Sequence, residues 1–360
     1  MTTNEMTLED VRNKAREKLK AAQFCMVYKD CDGGPTRFCQ GQHYGRRLGF
    51  GGIGSGASFH NNWLALRKLN LKMKLIDSDQ IALSEPDTRF NFFGKDISMP
   101  IMSASVSGVN SFGGDSVITE REFCHAVING CRDAGTIGWR GDTFTYSLEK
   151  SYGLDAIAEG NAGGVKIVKP REQTIIKQFF NKAELCGTTA VGVDTDGAGS
   201  YAMRTNNKPV FRKTPEEITD LVNSTSLPVI IKGVMCVEDA VDAVDAGAKA
   251  IVVSNHGGRV LDHTPGTADV LPEIVTALKS TGAMIVADGG VRTGYDVLKM
   301  LALGADAVLI GRDIVRAAVG GGSEGVRLQM DFLQKTLAKA MLMTGCVSLT
   351  KVSRDILDET

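Results

Sequence analysis

His256 stands in the run Asn255-His256-Gly257-Gly258-Arg259, at the end of an apolar stretch beginning at Ala250. A neutral imidazole can take a proton near neutral pH, and a fixed guanidinium grips a carboxylate at two points. Asp194 and Lys232 close two other apolar stretches. An aspartate there would orient the imidazole and stabilise its charged form, while a lysine offers positive charge to a reduced, anionic cofactor. A second group of residues has a different chemistry. Asp288-Gly289-Gly290-Val291-Arg292 and Gly311-Arg312 combine exposed backbone N–H groups with arginines, each ahead of a helical stretch. That is a phosphate cradle in type. The other reading is that these glycines serve only as tight turns between strand and helix.

Those residues need elements that bring them to one place. From about residue 97 the chain repeats a short apolar run, a turn and a helical stretch. The expected strands are Ile97 to Ser105, Gly135 to Arg140, Gly164 to Lys169, Thr189 to Thr195, Pro228 to Gly233, Ala250 to Asn255, Met284 to Gly289 and Ala307 to Arg312. They are apolar throughout rather than alternating, which suits strands buried on both faces of a parallel sheet. Eight such units close into an α/β (β/α)8 TIM barrel more readily than they form an open sheet, and groups at their carboxyl ends share one face. Helices are expected from Val237 to before Gly247, from Gly294 to Leu303, and from a Ser323 cap to Met343. Residues 1–95 form an irregular, partly helical N-terminal segment opened by a Thr7 cap, and residues 96–360 form the barrel.

Composition narrows the function. The chain has 360 residues, 43% hydrophobic and 23% charged, with a formal net charge of −1. There is no basic block for nucleic acid and no apolar run that spans a bilayer. Met1 to Lys18 is polar and charged, without the apolar core of a secretory signal. A soluble, cytoplasmic protein with reduced thiols is the expectation. Cys25, Cys31, Cys39 and His43 invite a metal reading, but the tight Cys-x2-Cys pair usual in metal motifs is missing. Scattered thiols and no bound metal are expected.

The ordered motifs carry a resemblance. Val253-Ser254-Asn255-His256-Gly257-Gly258-Arg259, Leu261-Asp262, Pro265, Thr267, the DVLPEI run from Asp269, Ile231-Lys232-Gly233, the DGGVR run from Asp288 and LALGADAVLIGR from Leu301 resemble the FMN-dependent 2-hydroxy-acid oxidase and dehydrogenase family, the glycolate oxidase and lactate dehydrogenase type. Similarity is dense from about residue 225 onward and thinner from Ile97 to Thr195. The resemblance implies FMN as cofactor, a small carboxylate substrate and a homo-oligomer. It implies oxidation of a 2-hydroxy acid to a 2-oxo acid, with hydride equivalents passing to flavin N5. His256 would be the base, Asp194 its partner and Arg259 the carboxylate clamp. Lys232 would lie at the flavin N1/O2 edge, with Ser254, Ser105 and Lys169 in the flavin site. Asp288, Gly289, Gly290, Arg292, Gly311 and Arg312 would hold the ribityl phosphate end.

The sequence departs from the family pattern at three places. Gly52 stands where a tyrosine precedes a Ser-Gly-Ala motif, here Ser55-Gly56-Ala57. Lys169-Pro170-Arg171 stands at the family's Gln-x-Tyr, and Asp196 replaces the proline that follows Val-Asp-Thr. The added positive groups raise an alternative: an FMN-dependent reductase or isomerase with a more anionic substrate. A barrel kept as a sensor or scaffold is a third reading, opposed by the complete His256, Arg259 and Asp194 set.

Overall fold

The structure, a computed structural model, describes residues 5–22, 51–76, 85–109, 116–161 and 163–359. In the N-terminal segment lie helices α1 (Leu8–Ala21) and α2 (Ala57–Arg67) and strands β1 (Leu69–Leu71), β2 (Phe90–Phe92) and β3 (Lys95–Ile97). The alternation then begins with β4 (Ile101–Ser103), α3 (Glu120–Asp133), β5 (Trp139–Arg140), α4 (Tyr152–Gly160), β6 (Val165–Val168) and α5 (Gln173–Leu185). It continues through β7 (Ala190–Asp194), a 3-10 turn (Thr195–Gly199), α6 (Tyr201–Thr205), α7 (Pro215–Val222), β8 (Val229–Val234) and α8 (Val237–Asp245). The last units are β9 (Ala250–Val253), α9 (Thr267–Leu278), β10 (Met284–Ala287), α10 (Gly294–Ala302), β11 (Ala307–Ile310), α11 (Arg312–Met343) and β12 (Leu357–Glu359).

Eight strands form one sheet in the order β4-β11-β10-β9-β8-β7-β6-β5, with every pair in it parallel. At the seam between β5 and β4, Trp139 N–H donates to Ser103 Oγ at 2.9 Å and Thr136 Oγ1 donates to Ile101 O at 2.6 Å. The result is a nearly closed (β/α)8 barrel. Its inside is filled by Met102, Trp139, Ile167, Ile230, Val252, Val286 and Leu309, while the alternate strand residues pack outward on the helices. Both strand faces are therefore buried, which is why the strands read as unbroken apolar runs.

Local signals behave as their chemistry requires. Thr7 caps α1, accepting from Asp10 N–H while the Asp10 carboxylate accepts from Thr7 N–H. α11 runs from Arg312 but is interrupted at Gly322 (φ 58, ψ −140), so the piece expected from Ser323 to Met343 is present and a further helical piece from Arg312 precedes it. The break that makes Ser323 look like a beginning is thus a kink between two helical pieces. β12 returns to pair antiparallel with β1, Leu71 opposite Leu357. Among the described residues no helix is long and apolar enough to cross a membrane.

Arg140 and Lys166 are fully buried in the barrel wall. Arg140 lies over the Phe123 ring at 4.6 Å, with Glu120 at 3.9 Å. Lys166 projects outward from β6 between the rings of Tyr146 and Phe179 and donates to Gly141 O. Burial pushes the Lys166 ammonium down to about 8, against the pull of Asp142. A lysine lowered on folding costs stability in full below pH 8, and the cost fades as pH rises to about 10.4, where the unfolded chain also loses the proton. Lys166→Met is therefore expected to stabilise the protein at pH 7 by up to about 3 kcal/mol, less the lost bond to Gly141 O. Urea unfolding from pH 7 to 10.5 should show the two proteins converging; a gap that stays constant with pH would remove this explanation.

Candidate active site

The carboxyl ends of the strands open on one cleft of about 440 Å³. Ser105, Lys169, Asp194, Lys232, His256, Arg259, Asp288, Gly289, Gly290, Arg292, Gly311 and Arg312 all line it. Ser254 lies just beneath, its Oγ accepting from Lys232 Nζ at 3.2 Å and from His256 N–H at 3.1 Å. Residues scattered over 208 positions of sequence, from Ser105 to Arg312, are thus brought together because each ends a strand or begins the following turn.

The loop after β9 is built from backbone that ordinary residues rarely adopt. His256 has φ 55, followed by Gly257 at φ 62 and Gly258 at φ 75. The left-handed region is open to glycine and tolerated by histidine, but such a residue persists only when its surroundings hold it. At Gly258 a Cβ would lie 2.5 Å from Phe59 N, so the close approach of α2 also requires glycine. Asn255, buried below, accepts from Gly258 N–H at 3.1 Å and from Asn62 Nδ2 at 2.8 Å. Arg312 Nη2 donates to Gly257 O at 2.7 Å and to Gly51 O at 3.1 Å. The loop is pinned from both sides, and its histidine faces the cleft.

Charge in the cleft is dense and mostly compensated. Asp194 Oδ2 accepts from Lys169 Nζ at 2.5 Å, and Asp194 Oδ1 from Lys232 Nζ at 3.2 Å. Burial alone would raise the Asp194 carboxyl, but His256, Lys169 and Lys232 hold it well below the usual carboxylate range. Lys232, buried beside Asp194, is held above the ordinary lysine value, since that attraction outweighs desolvation. Asp288 is raised by burial, with Lys232 opposing. Desolvation pushes the Arg259 guanidinium down to about 10. His256 Nδ1 lies 2.9 Å from Asp196 Oδ1 and 3.4 Å from Asp194 Oδ2. With Nδ1 against carboxylates and carrying the proton, Nε2 is left as the basic nitrogen.

At the other end of the cleft, α11 begins at Arg312 and turns its N-terminus toward the lining residue Gly311. A Cβ at Gly311 would make ordinary van der Waals contact with Ala104 at 3.8 Å and Val106 at 3.9 Å, so sterics alone do not require glycine there. Gly289 and Gly290 have φ 104 and φ 76 and rest on Asn62, where a Cβ would clash at 2.9 and 2.5 Å. Arg292 also reaches the cleft, with Nη1 donating to Asp313 Oδ1 at 2.6 Å. A helix N-terminus, bare glycine backbone and two arginines are the kinds of group that a phosphate site uses.

The departures in sequence have structural outcomes. Lys169 enters the cleft, but Arg171 turns away: its Nε and Nη2 donate to Asp142 Oδ2 and Oδ1, each at 2.8 Å. Residues two apart on an extended strand share a face, but β6 ends at Val168 and Arg171 N–H donates to Lys169 O at 2.6 Å, a tight turn about Pro170 that breaks that alternation. Gly52 has no room for a side chain, a Cβ there lying 2.9 Å from Phe59 Cβ and 3.0 Å from Gly258 O, and Ile53 lines the cleft instead. Phe144, Tyr201 and Met203 also line it and carry no motif signal, because they sit on connections rather than strand ends. Cys25, Cys31, Cys39 and His43 lie outside the described residues.

Comparison with known proteins gives the same assignment. A family model described as FMN-dependent dehydrogenase matches residues 48–212 and 199–359. The chain belongs to the FMN-dependent dehydrogenase family. A 2-hydroxyacid oxidase from Dictyostelium discoideum is 31% identical over 323 residues, 79% of this chain and 79% of that protein. A 4-hydroxymandelate oxidase from Amycolatopsis orientalis is 31% identical over 337 residues, 84% of this chain and 90% of that one. A crystal structure of mandelate oxidase superposes with a TM-score of 0.78 at 28% identity, covering 99% of this chain and 98% of the other. The enzyme is thus an FMN-dependent oxidoreductase of the 2-hydroxy-acid oxidase and dehydrogenase family. The cleft lining fits that cofactor in chemistry: glycine backbone and arginines that could hold a phosphate at one end, and at the other the cation of Lys232, which could meet negative charge on a reduced ring.

Proposed function

We propose that the enzyme oxidises a small 2-hydroxy acid to the 2-oxo acid. The observation that carries this reading is the placement of His256 and Arg259 on one cleft wall, with Nδ1 of the histidine against carboxylates and Nε2 left as the base. Arg259 binds the substrate carboxylate through its planar fork, which suits a carboxylate better than a lysine would. His256 Nε2 takes a proton as the C2–H bond breaks, and the carboxylates behind Nδ1 stabilise the imidazolium that results. Bound FMN supplies the acceptor for the two electrons. Lys232, fixed by Asp194 and Ser254, would supply positive charge to the N1/O2 edge of the bound ring. Asp288, Gly289, Gly290, Arg292, Gly311 and Arg312 would hold the ribityl phosphate, and the backbone at Ser105 would face the ring.

A more anionic substrate, handled by a reductase or isomerase, loses its main support here. Arg171 is bound to Asp142 and does not line the cleft, and Lys169 is held on Asp194, which it shares with Lys232, so neither added cation is left free to meet a second anionic group. The partner is therefore a small-molecule carboxylate, and the near-neutral chain has no charge feature calling for nucleic acid. A cytoplasmic location remains part of the proposal, and with it a homo-oligomer, which the family resemblance implies. The deciding experiment is a visible spectrum of the purified protein during anaerobic addition of a panel of 2-hydroxy acids. Flavin bands bleached by one member are expected. Bands that persist against every acid would overturn the assigned reaction.

A further inference from the structure

Asp196 occupies the position at which the family resemblance calls for proline, and its surroundings are shaped to receive it. It sits in the 3-10 turn that follows β7, one residue beyond Thr195, whose Oγ1 donates to Lys232 O at 2.9 Å. Across from it, β8 changes register between Lys232 and Val234. Gly233 at that irregularity has φ 100, and a Cβ there would lie 2.7 Å from Asp196 Cγ and 2.8 Å from its Cβ. Only a glycine in this left-handed conformation leaves the volume that Asp196 fills. Its neighbour Gly197 has a matching reason: a Cβ would come 2.7 Å from Lys169 Cδ, closing the path by which that lysine reaches Asp194.

The two substitutions are linked through their partners. Lys169 and Lys232 each bind one oxygen of Asp194, at 2.5 and 3.2 Å. A carboxylate accepting from two ammonium groups has less charge to offer a third donor. The shorter contact of His256 Nδ1 is with Asp196 Oδ1, 2.9 Å against 3.4 Å for Asp194 Oδ2. Proline has no side-chain acceptor and could not make it. We propose that Asp196 is a positioning residue for His256, holding its ring orientation and the Nδ1–H tautomer, while Asp194 serves mainly as the anion that neutralises Lys169 and Lys232. The inference rests on His256 being the base, as proposed above.

The test uses the FMN-loaded enzyme with its best 2-hydroxy acid and two readouts. Asp196→Ala is expected to lower kcat by about 10²-fold, the low end of a general base's contribution, with little change in KM because Arg259 is untouched. Asp196→Asn, which keeps an oxygen facing Nδ1, should recover at least about tenfold of that loss. Independently of turnover, ¹⁵N shifts of the His256 ring should place the proton on Nδ1 in the native enzyme and on a mixture of both nitrogens in Asp196→Ala. If the alanine variant fails to fold, Asp196→Pro removes the same acceptor and is read in the same two ways. Native ring shifts and native kcat in the folded alanine or proline variant would overturn the proposal. A scrambled tautomer with undiminished turnover would uphold the contact and count instead against His256 as the base.

Discussion

Replacing His256 by alanine is expected to slow substrate-dependent flavin reduction by about 10³-fold, within the range a positioned general base contributes. The loss should appear in kcat and kcat/KM alike if, as proposed, the histidine acts as the C2–H bond breaks and carboxylate binding is left to Arg259. FMN affinity should change little, because the phosphate cradle lies on the strand ends of β10 and β11. Anaerobic stopped-flow reduction with each enzyme preloaded with FMN separates these quantities. An alanine variant reduced at the native rate would end the assignment of His256 as base, whatever its effect on binding. His256→Asn, which is tolerated at φ 55 as alanine is not, controls for loss of the left-handed turn itself.

The largest effect on stability is expected from Asp194→Ala. Asp194 is 4% exposed and Lys232 3% exposed, with Lys169 also drawn to the same carboxylate. Removing the anion leaves two ammonium groups in a site with little water, a loss of about 3–5 kcal/mol for a broken buried pair. Urea unfolding of the FMN-free protein at pH 7 measures it without interference from cofactor binding. Asp194→Ala combined with Lys169→Met should regain part of the loss, since one of the stranded charges is gone. The pH dependence has a definite sign. The folded carboxyl is held below its unfolded value of about 3.9, so its stabilisation is complete above that pH and is lost as pH falls through the lower folded value. A variant no less stable than the native protein would mean that the two lysines are already well served by solvent.

Much of this architecture was legible in the one-dimensional pattern. The run of eight mainly apolar strands could be read because both faces of each are buried, leaving few polar residues, such as Lys166 in β6 and the charged groups at strand ends, to blur the signal. The helices over Val237–Asp245 and Gly294–Ala302 end ahead of Gly247 and Gly304, at φ 101 and φ 104, which is what the glycines predicted. The Ser323 start was legible because three glycines precede it, and the helix does break at Gly322; a further helical piece, from Arg312, lies ahead of that break.

Strand-end chemistry was determined by sequence alone in this protein: His256, Arg259, Asp194, Lys232 and the two glycine-arginine turns share the cleft because the barrel sends every strand's carboxyl end to one face. Pairings within that cleft were decided only by the tertiary structure. Lys169 and Arg171 are both cations near one strand end, yet one neutralises Asp194 and the other Asp142, a choice made by the path of the chain through Pro170. Asp196 read as a lost proline until the irregularity at Gly233 put its carboxylate beside the imidazole. Spacing along the chain reports which residues reach a site. Which atom each one touches depends on distances of less than an ångström between strands, and those are set by packing.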